Sequence, residues 1–332
     1  MKNIFEEFPA PSHQKWLELV EKELKRPLEP LEIADSLFSD PFLDQEFLEK
    51  STLTKSKEGW VIFQKINIAD DFQSANREIL EAVNGGANGL RLVVLTENYD
   101  FKEIFKDVDL SKLSLSIESP SDTFKVLKTL DEYCSDSHQN NTPMEIITHN
   151  QNENYKSLKP QLLILESSEK PLFQNLSEIL SEAENIGIQK GKPFWIKLNS
   201  SENFYLNIAK IRALKILWEH ILEANGADKP EMKIWVNIKN TNPDANQAAI
   251  AATQQAAAAI SGTADAIEID TLDYSSDYPK GFPERITRNI QNLLWFESHL
   301  NKVDDPSAGS YFIEDLTEKI KNEIWNLFLK NR

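Results

Sequence analysis

The chain has 332 residues, more than one small domain absorbs and about right for one large α/β barrel of ~250 residues with extensions. Its 53 Asp and Glu against 36 Lys and Arg give a net charge of −17, which works against phosphate backbones and anionic lipid as partners. A single cysteine, Cys134, excludes an internal disulfide and every paired-cysteine motif, and no apolar run approaches the ~20 residues of a membrane span. The N-terminal stretch MKNIFEEFPAPSHQKW also has no apolar signal core, so the expectation is a soluble, cytoplasmic protein with neither nucleic acid nor membrane as partner.

In chain order, the first element is a helix, PSHQKWLELVEKEL, capped by Ser12, with Trp16, Leu17, Val20 and Leu24 on one face. An arm follows to about residue 57, punctuated by Pro27, Pro30 and Pro41. The prolines keep Leu28, Leu31, Ile33, Leu37, Phe38, Phe42, Leu43, Phe47 and Leu48 from being buried within a regular element of the arm's own. Such a segment needs a surface, either its own body or a partner's.

From residue 58 to 300, short apolar runs alternate with stretches of helical length. The runs are WVIF (60–63), LRLVVL (90–95), LSLSI (113–117), EII (145–147), LLIL (162–165), FWIKL (194–198), IWVNI (234–238) and AIEI (266–269). Spacings of one strand plus one crossover make successive strands parallel, and eight of them predict a closed (β/α)8 TIM barrel, with an open doubly wound sheet as the alternative. Closure places Trp60–Phe63 beside Ala266–Ile269. Between the runs, Asp70 or Asp71 caps a helix that ends at Gly85-Gly86, and Phe204, Ile208, Ile211, Leu214, Trp218 and Ile221 form a stripe at three- and four-residue steps. The fourth unit is thin, since THNQNENYKSLKPQ has room for one short helix only. The Ala-rich segment 245–260 lets a helix pack close to the sheet. Residues 301–332 carry a GSY segment and a last helix, Ile313 to Leu329, with Ile313, Leu316, Ile320, Ile324 and Leu327 as its stripe.

Barrel enzymes mount their chemistry on the loops after the strands, positions held here by Glu97, Glu118, His149, Glu166, Lys239 and Asp270. Carboxylates, a histidine and a lysine converging there suit acid–base work, though so acidic a chain places several carboxylates at strand ends by composition alone. The other histidines, His13, His220 and His299, stand singly and build no pair. DSHQN at 136–140 reads as a solvated polar loop, and Cys134 as a free thiol. No G-x-G-x-x-G, G-x-x-x-x-G-K-[ST] or G-x-S-x-G occurs.

Four segments in order, FPAPSHQKWLELVEKELK, IAKIRALKILWEHI, FPERITRNIQNLLWFES and DPSAGSYFIEDLTEKI, resemble the landmarks of the methylmalonyl-CoA mutase family. The resemblance implies a barrel threaded along its axis by an acyl-CoA and, in catalytic chains, a following cobalamin-binding domain whose D-x-H-x-x-G histidine holds cobalt. This chain departs twice. Glu166, Ser167 and Ser168 stand where the catalytic chains carry Gly-Tyr-His, and the chain ends at Arg332, so the cobalamin-binding domain is expected to be missing; Asn141 likewise replaces the glycine a D-x-H-x-x-G reading of residues 136–141 needs. The resemblance therefore implies a small, non-catalytic subunit of a heterodimeric, adenosylcobalamin-dependent mutase. Its partner is the large subunit, around which the N-terminal arm wraps and which holds the cofactor, and its own chain has no catalytic, cofactor-binding or metal residue. Alone it is expected to form a homodimer through the same face, weakened by deleting residues 1–57. Two other roles stay open: a stand-alone barrel enzyme using Glu118, Glu166 and Asp270, and an assembly factor for the large subunit.

Overall fold

The computed structural model describes residues 12–34, 37–40, 43, 59–136, 144–149, 155–167, 170–226, 230–240, 242–274 and 278–332. At its centre are eight parallel strands: β3 (Val61–Ile68), β4 (Gly89–Val94), β5 (Ser114–Glu118), β6 (Met144–Thr148), β7 (Leu158–Leu165), β8 (Phe194–Asn199), β9 (Met232–Ile238) and β10 (Ala266–Ile269). They close in sequence order, and the seam is Ala266 beside Val61, Ile267 beside Ile62 and Glu268 beside Phe63. All eight runs are strands, and the closed barrel, not the open sheet, is what they build. The runs are mainly apolar because one face meets the helices and the other the barrel interior.

Around the barrel lie α2 (Phe72–Asn84), the short α3 (Phe101–Ile104), α4 (Thr123–Asp136), α5 (Leu172–Glu184), α6 (Phe204–Asn225), α7 (Ala245–Ser261) and α8 (Phe282–Phe296). Asp71 caps α2 by accepting from the Ser74 N–H at 2.8 Å, and Gly85 ends it. The thin fourth crossover has no helix among its described residues. Its end is held instead by Asp131 of α4, whose carboxylate accepts from the backbone N–H groups of Lys156, Ser157 and Leu158 at 2.9, 2.6 and 3.0 Å. One buried carboxylate satisfies three donors that a helix would otherwise have supplied with partners.

The last helix, α9 (Tyr311–Lys330), packs outside the barrel across α6 and α5. This second cover explains why α6 is buried almost all round and not along one stripe. Of the last-helix stripe, Ile313, Leu316, Ile320 and Ile324 are buried and Leu327 packs at the edge.

Upstream, α1 (His13–Leu24) forms with Ser12 accepting from the Lys15 N–H, but none of its residues is buried. The arm departs from its expectation. Two short strands do form there, β1 (Leu31–Ala34) and β2 (Leu37–Ser39), paired antiparallel between the prolines and not across them. The inner face of the pair seats on this chain: Leu37 is buried, Ser39 Oγ donates to Asp315 of α9 at 3.0 Å, and Asn203 donates to the Ile33 carbonyl at 3.2 Å. Leu43 is buried too, whereas Leu31 and Phe38 are exposed. Phe42, Phe47 and Leu48 lie outside the described residues, as do residues 137–140 of DSHQN, Asn141 and Ser168.

Candidate functional site

Alternation along the strands sends Phe63, Trp195 and Trp235 into the barrel with Ile147, Leu163 and Ala266, one buried apolar cluster across the axis. The Phe63 and Trp235 rings stack at 4.1 Å and 13°, and Trp195 Nε1 donates to Gln161 Oε1 at 2.6 Å. Gly89 on β4 makes room for this layer, since a Cβ there would lie 2.5 Å from Val61 and 2.9 Å from Phe63. Three large aromatic rings fill the middle of the barrel.

Above them, at the C-terminal mouth, sits a ring of opposite charges. Arg91 of β4 donates from Nε and Nη2 to Glu118 at 3.0 and 2.8 Å, and from Nη1 to Glu268 at 3.0 Å. Lys197 of β8 donates to the other oxygen of Glu268 at 2.6 Å while lying 4.1 Å over the Trp235 ring. Glu268 is fully buried, and its two cations are what make that position tolerable. Burial pushes the Glu118 carboxyl up, but the hydrogen bond and charge of Arg91, with Lys197 and His149 behind, hold it below the ordinary carboxylate range. Burial drives Lys197 down further than Glu268 lifts it. Burial also opposes the Arg91 charge, yet its hydrogen bond to Glu118 and the charges of both carboxylates raise it on balance.

The strand-end residues do not converge as one set. Glu118 is tied into the Arg91 ring. His149 is exposed, and its Nδ1 lies 3.1 Å from the Leu163 carbonyl; a carbonyl only accepts, so Nδ1 carries the hydrogen. Glu166 accepts from the Asn199 N–H at 2.5 Å and faces the buried Lys210 at 3.7 Å, so it braces two crossovers. Glu97 and Lys239 are exposed. Asp270 is half-buried, and burial first, then the charge of Glu268, push its carboxyl above the ordinary range. Arg91, Lys197 and Glu268 were not among the sequence candidates. Their signal was a charge at an inward position inside an apolar strand, as in FWIKL and AIEI.

A raised carboxyl pKa means that the fold disfavours the charged form of Asp270. The penalty is absent below the unfolded pKa of about 4 and is in force once pH has risen past the folded pKa. Asp270→Asn is therefore expected to raise the melting temperature at pH 7 by about 1–2 °C, the advantage vanishing as pH falls toward 4. Differential scanning calorimetry across that range checks it, and a lower melting temperature at pH 7 contradicts it.

Three of the four shared landmarks turn out to be clamps. In IAKIRALKIL, Arg212 donates from Nη2 to both oxygens of Glu314 at 3.0 Å and from Nη1 to Asp305, so it joins both ends of the DPSAGSY segment. The Gly309 N–H closes the same loop onto Glu314 at 3.0 Å. In FPERITRNIQNLLW, Arg288 and Asn292 donate to the Gly85 carbonyl at 3.2 and 2.9 Å, Arg288 also bonds Gln64, and Gln291 accepts from Trp60 Nε1 at 3.2 Å. These contacts lock α8 onto β3 and the end of α2.

Residues 192–331 match the family model described as methylmalonyl-CoA mutase. The chain is similar to a methylmalonyl-CoA mutase small subunit of Porphyromonas gingivalis, 26% identical over 99% of this chain and 64% of that protein. It is also similar to small subunits of Streptomyces virginiae, 28% identical over 44% of this chain and 24% of that protein, and, under the name probable small subunit, of Mycobacterium bovis, 32% identical over 40% and 23%. The chain thus spans less than two thirds of the length of these relatives. Among solved structures it is similar to dihydropteroate synthase from Stenotrophomonas maltophilia, at a TM-score of 0.45 and 10% identity over 74% of this chain and 94% of that one, a likeness too weak to bear on function. Among the described residues, no helix is long and apolar enough to cross a membrane.

Proposed function

The chain being a relative of the methylmalonyl-CoA mutase family, we propose that it is a small, non-catalytic subunit that binds and stabilises a catalytic large subunit. In this reading the partner interconverts methylmalonyl-CoA and succinyl-CoA and holds the adenosylcobalamin. The observation that carries it is the filled axis: Phe63, Trp195 and Trp235 occupy the core of the barrel, where an acyl-CoA would have to thread.

Of the three carboxylates on which a stand-alone enzyme would draw, Glu118 and Glu166 are held in structural contacts, and Asp270 alone is left to it. The helix α1, none of whose residues is buried and on which Leu19 and Leu24 are exposed, and Leu31 and Phe38 of the strand pair are the parts of the N-terminal segment left for a partner. Since the strand pair also seats Leu37 on α9, removing residues 1–25 separates association from barrel stability better than removing residues 1–57.

Co-expression with the organism's large mutase chain, followed by sizing with light scattering, is expected to give a one-to-one complex. Mutase turnover should appear in that complex and not with this chain alone, and truncation at residue 25 should weaken the complex with little change in melting temperature. The chain by itself should run as a homodimer. Turnover of methylmalonyl-CoA by this chain alone, or two chains that elute separately, would overturn the reading.

A further inference from the structure

Lys197 is the primary amine of the charged ring, and the fold sets it where a molecule entering the barrel mouth would meet it. We propose that Lys197 condenses with a short-chain aldehyde and holds it as a Schiff base at the floor of the mouth. The inference concerns this chain alone and does not rest on a partner subunit.

The mouth is open down to the ring. Alternation from Phe63 and Leu163 carries Lys65, Asn67 and Leu165 inward, and all three are exposed, Leu165 by 50%. Beneath them the Arg91 and Glu118 side chains are 19% and 24% exposed, and that of Lys197 is 10% exposed. Its ammonium is thus screened from bulk water yet reachable from it. The Trp235 ring, 4.1 Å from Nζ, closes the floor with apolar surface. Burial, with the Arg91 charge behind it, lowers the Lys197 pKa more than Glu268 and Glu118 raise it. A larger share of the amine is therefore neutral than in an exposed lysine, and the neutral amine is the nucleophile.

A second, independent observation points to an occupant. Asn237 lies two residues beyond Trp235 on β9, so it also faces inward, and it is 6% exposed. Its Oδ1 is buried and has no hydrogen-bond partner among the described residues. In register it stands between Asn199 of β8 and Glu268 of β10, one step nearer the mouth than the Lys197–Trp235 pair. A buried acceptor with nothing to accept from is costly to keep. A hydroxyl formed on the carbon attached to Lys197 Nζ would supply its donor.

The chemistry needs no reagent beyond the aldehyde. The Lys197 ammonium passes a proton to Glu268 along their 2.6 Å hydrogen bond, and the freed lone pair attacks the carbonyl carbon while the C=O π pair moves to oxygen. That oxygen takes a proton from the attacking nitrogen, giving a carbinolamine whose O–H donates to Asn237 Oδ1. The nitrogen lone pair then expels the hydroxyl, which leaves as water with the proton returned by Glu268. Ammonium plus aldehyde becomes iminium plus water, with the charge unchanged. The product keeps one N–H and one positive charge against the buried Glu268, so the ion pair survives the reaction.

Reductive trapping tests this: the full chain is incubated at pH 7 with one equivalent of propanal and sodium cyanoborohydride, and the N-propyl-lysines are mapped by peptide mass spectrometry. At that pH an exposed amine with a pKa of about 10.4 is almost wholly protonated. Lys197 is expected to carry severalfold more adduct than Lys65 or Lys239, the exposed lysines at the rim. The preference should vanish in urea, where every lysine is solvated. Asn237→Leu should cut the Lys197 adduct by about five- to tenfold, the worth of one hydrogen bond to the carbinolamine, and leave Lys65 as it was. Should that variant fail to fold, the comparison of Lys197 with the rim lysines, with and without urea, decides the matter in the unsubstituted protein. Labelling of Lys197 no stronger than that of Lys65 and Lys239, a preference that persists in urea, or an undiminished adduct in folded Asn237→Leu overturns the proposal.

Discussion

Arg212→Met is expected to destabilise the protein by about 3–5 kcal/mol, the cost of leaving a buried charge without its counterpart. The Arg212 side chain is fully buried, and its two partners, Asp305 and Glu314, are nearly so. Methionine keeps most of the volume, so the loss measured is electrostatic and not a cavity. Asp305 and Glu314 would then lose the cation they share, and α9, which covers α6, would lose its ion pair to that helix. Urea denaturation gives the number. The triple variant Arg212→Met, Asp305→Asn, Glu314→Gln should recover a large part of the loss, because no unpaired charge remains. A loss below about 1 kcal/mol for Arg212→Met alone would show that the clamp is not what holds α9 in place.

Trp235→Ala is expected to cost a similar amount, about 3–5 kcal/mol, through the cavity it opens in the middle of the barrel. It also removes the ring beneath Lys197 and the stacking partner of Phe63. Trp235→Phe, which keeps a ring, should lose less than half as much. The functional consequence separates two views of the axis. If the axis is filled core, the unsubstituted chain shows no binding of an acyl-CoA by calorimetry, and the variant changes the turnover of the complex with the large chain only in proportion to the folded fraction. Tight acyl-CoA binding by the unsubstituted chain would mean that the aromatic layer is a gate and not a core.

How far the strands could be read from the residues depends on what each element needed. Every barrel strand stood out, because a strand buried on both faces must be apolar along its length, and that constraint is local. Helix ends at Ser12, Asp71 and Gly85 were equally local, each a single side chain or glycine meeting backbone groups within its own turn. The strand pair β1 and β2 was missed for the opposite reason. Its two strands are four and three residues long, too short for an alternation to show, and they are held by Asp315 and Asn203, which lie far along the chain.

The charged ring at the barrel mouth was out of reach in a different way. FWIKL and AIEI announce that a lysine and a glutamate point somewhere in the interior, but only closure of the barrel brings Lys197, Glu268, Arg91 and Glu118 from four strands to hydrogen-bond distance. Glu166 shows the converse: at a strand end it looked like a catalytic carboxylate, and the tertiary structure turned it onto a backbone N–H and a buried lysine. The residues alone determined the barrel, its order of elements and the resemblance of its landmarks, since periodicity, capping and turn chemistry act between near neighbours. Whether the axis is open, which charges cancel one another and which polar groups stay unspent were decided only in three dimensions, because side-chain volume and pairwise electrostatics depend on distances that separation along the chain does not contain.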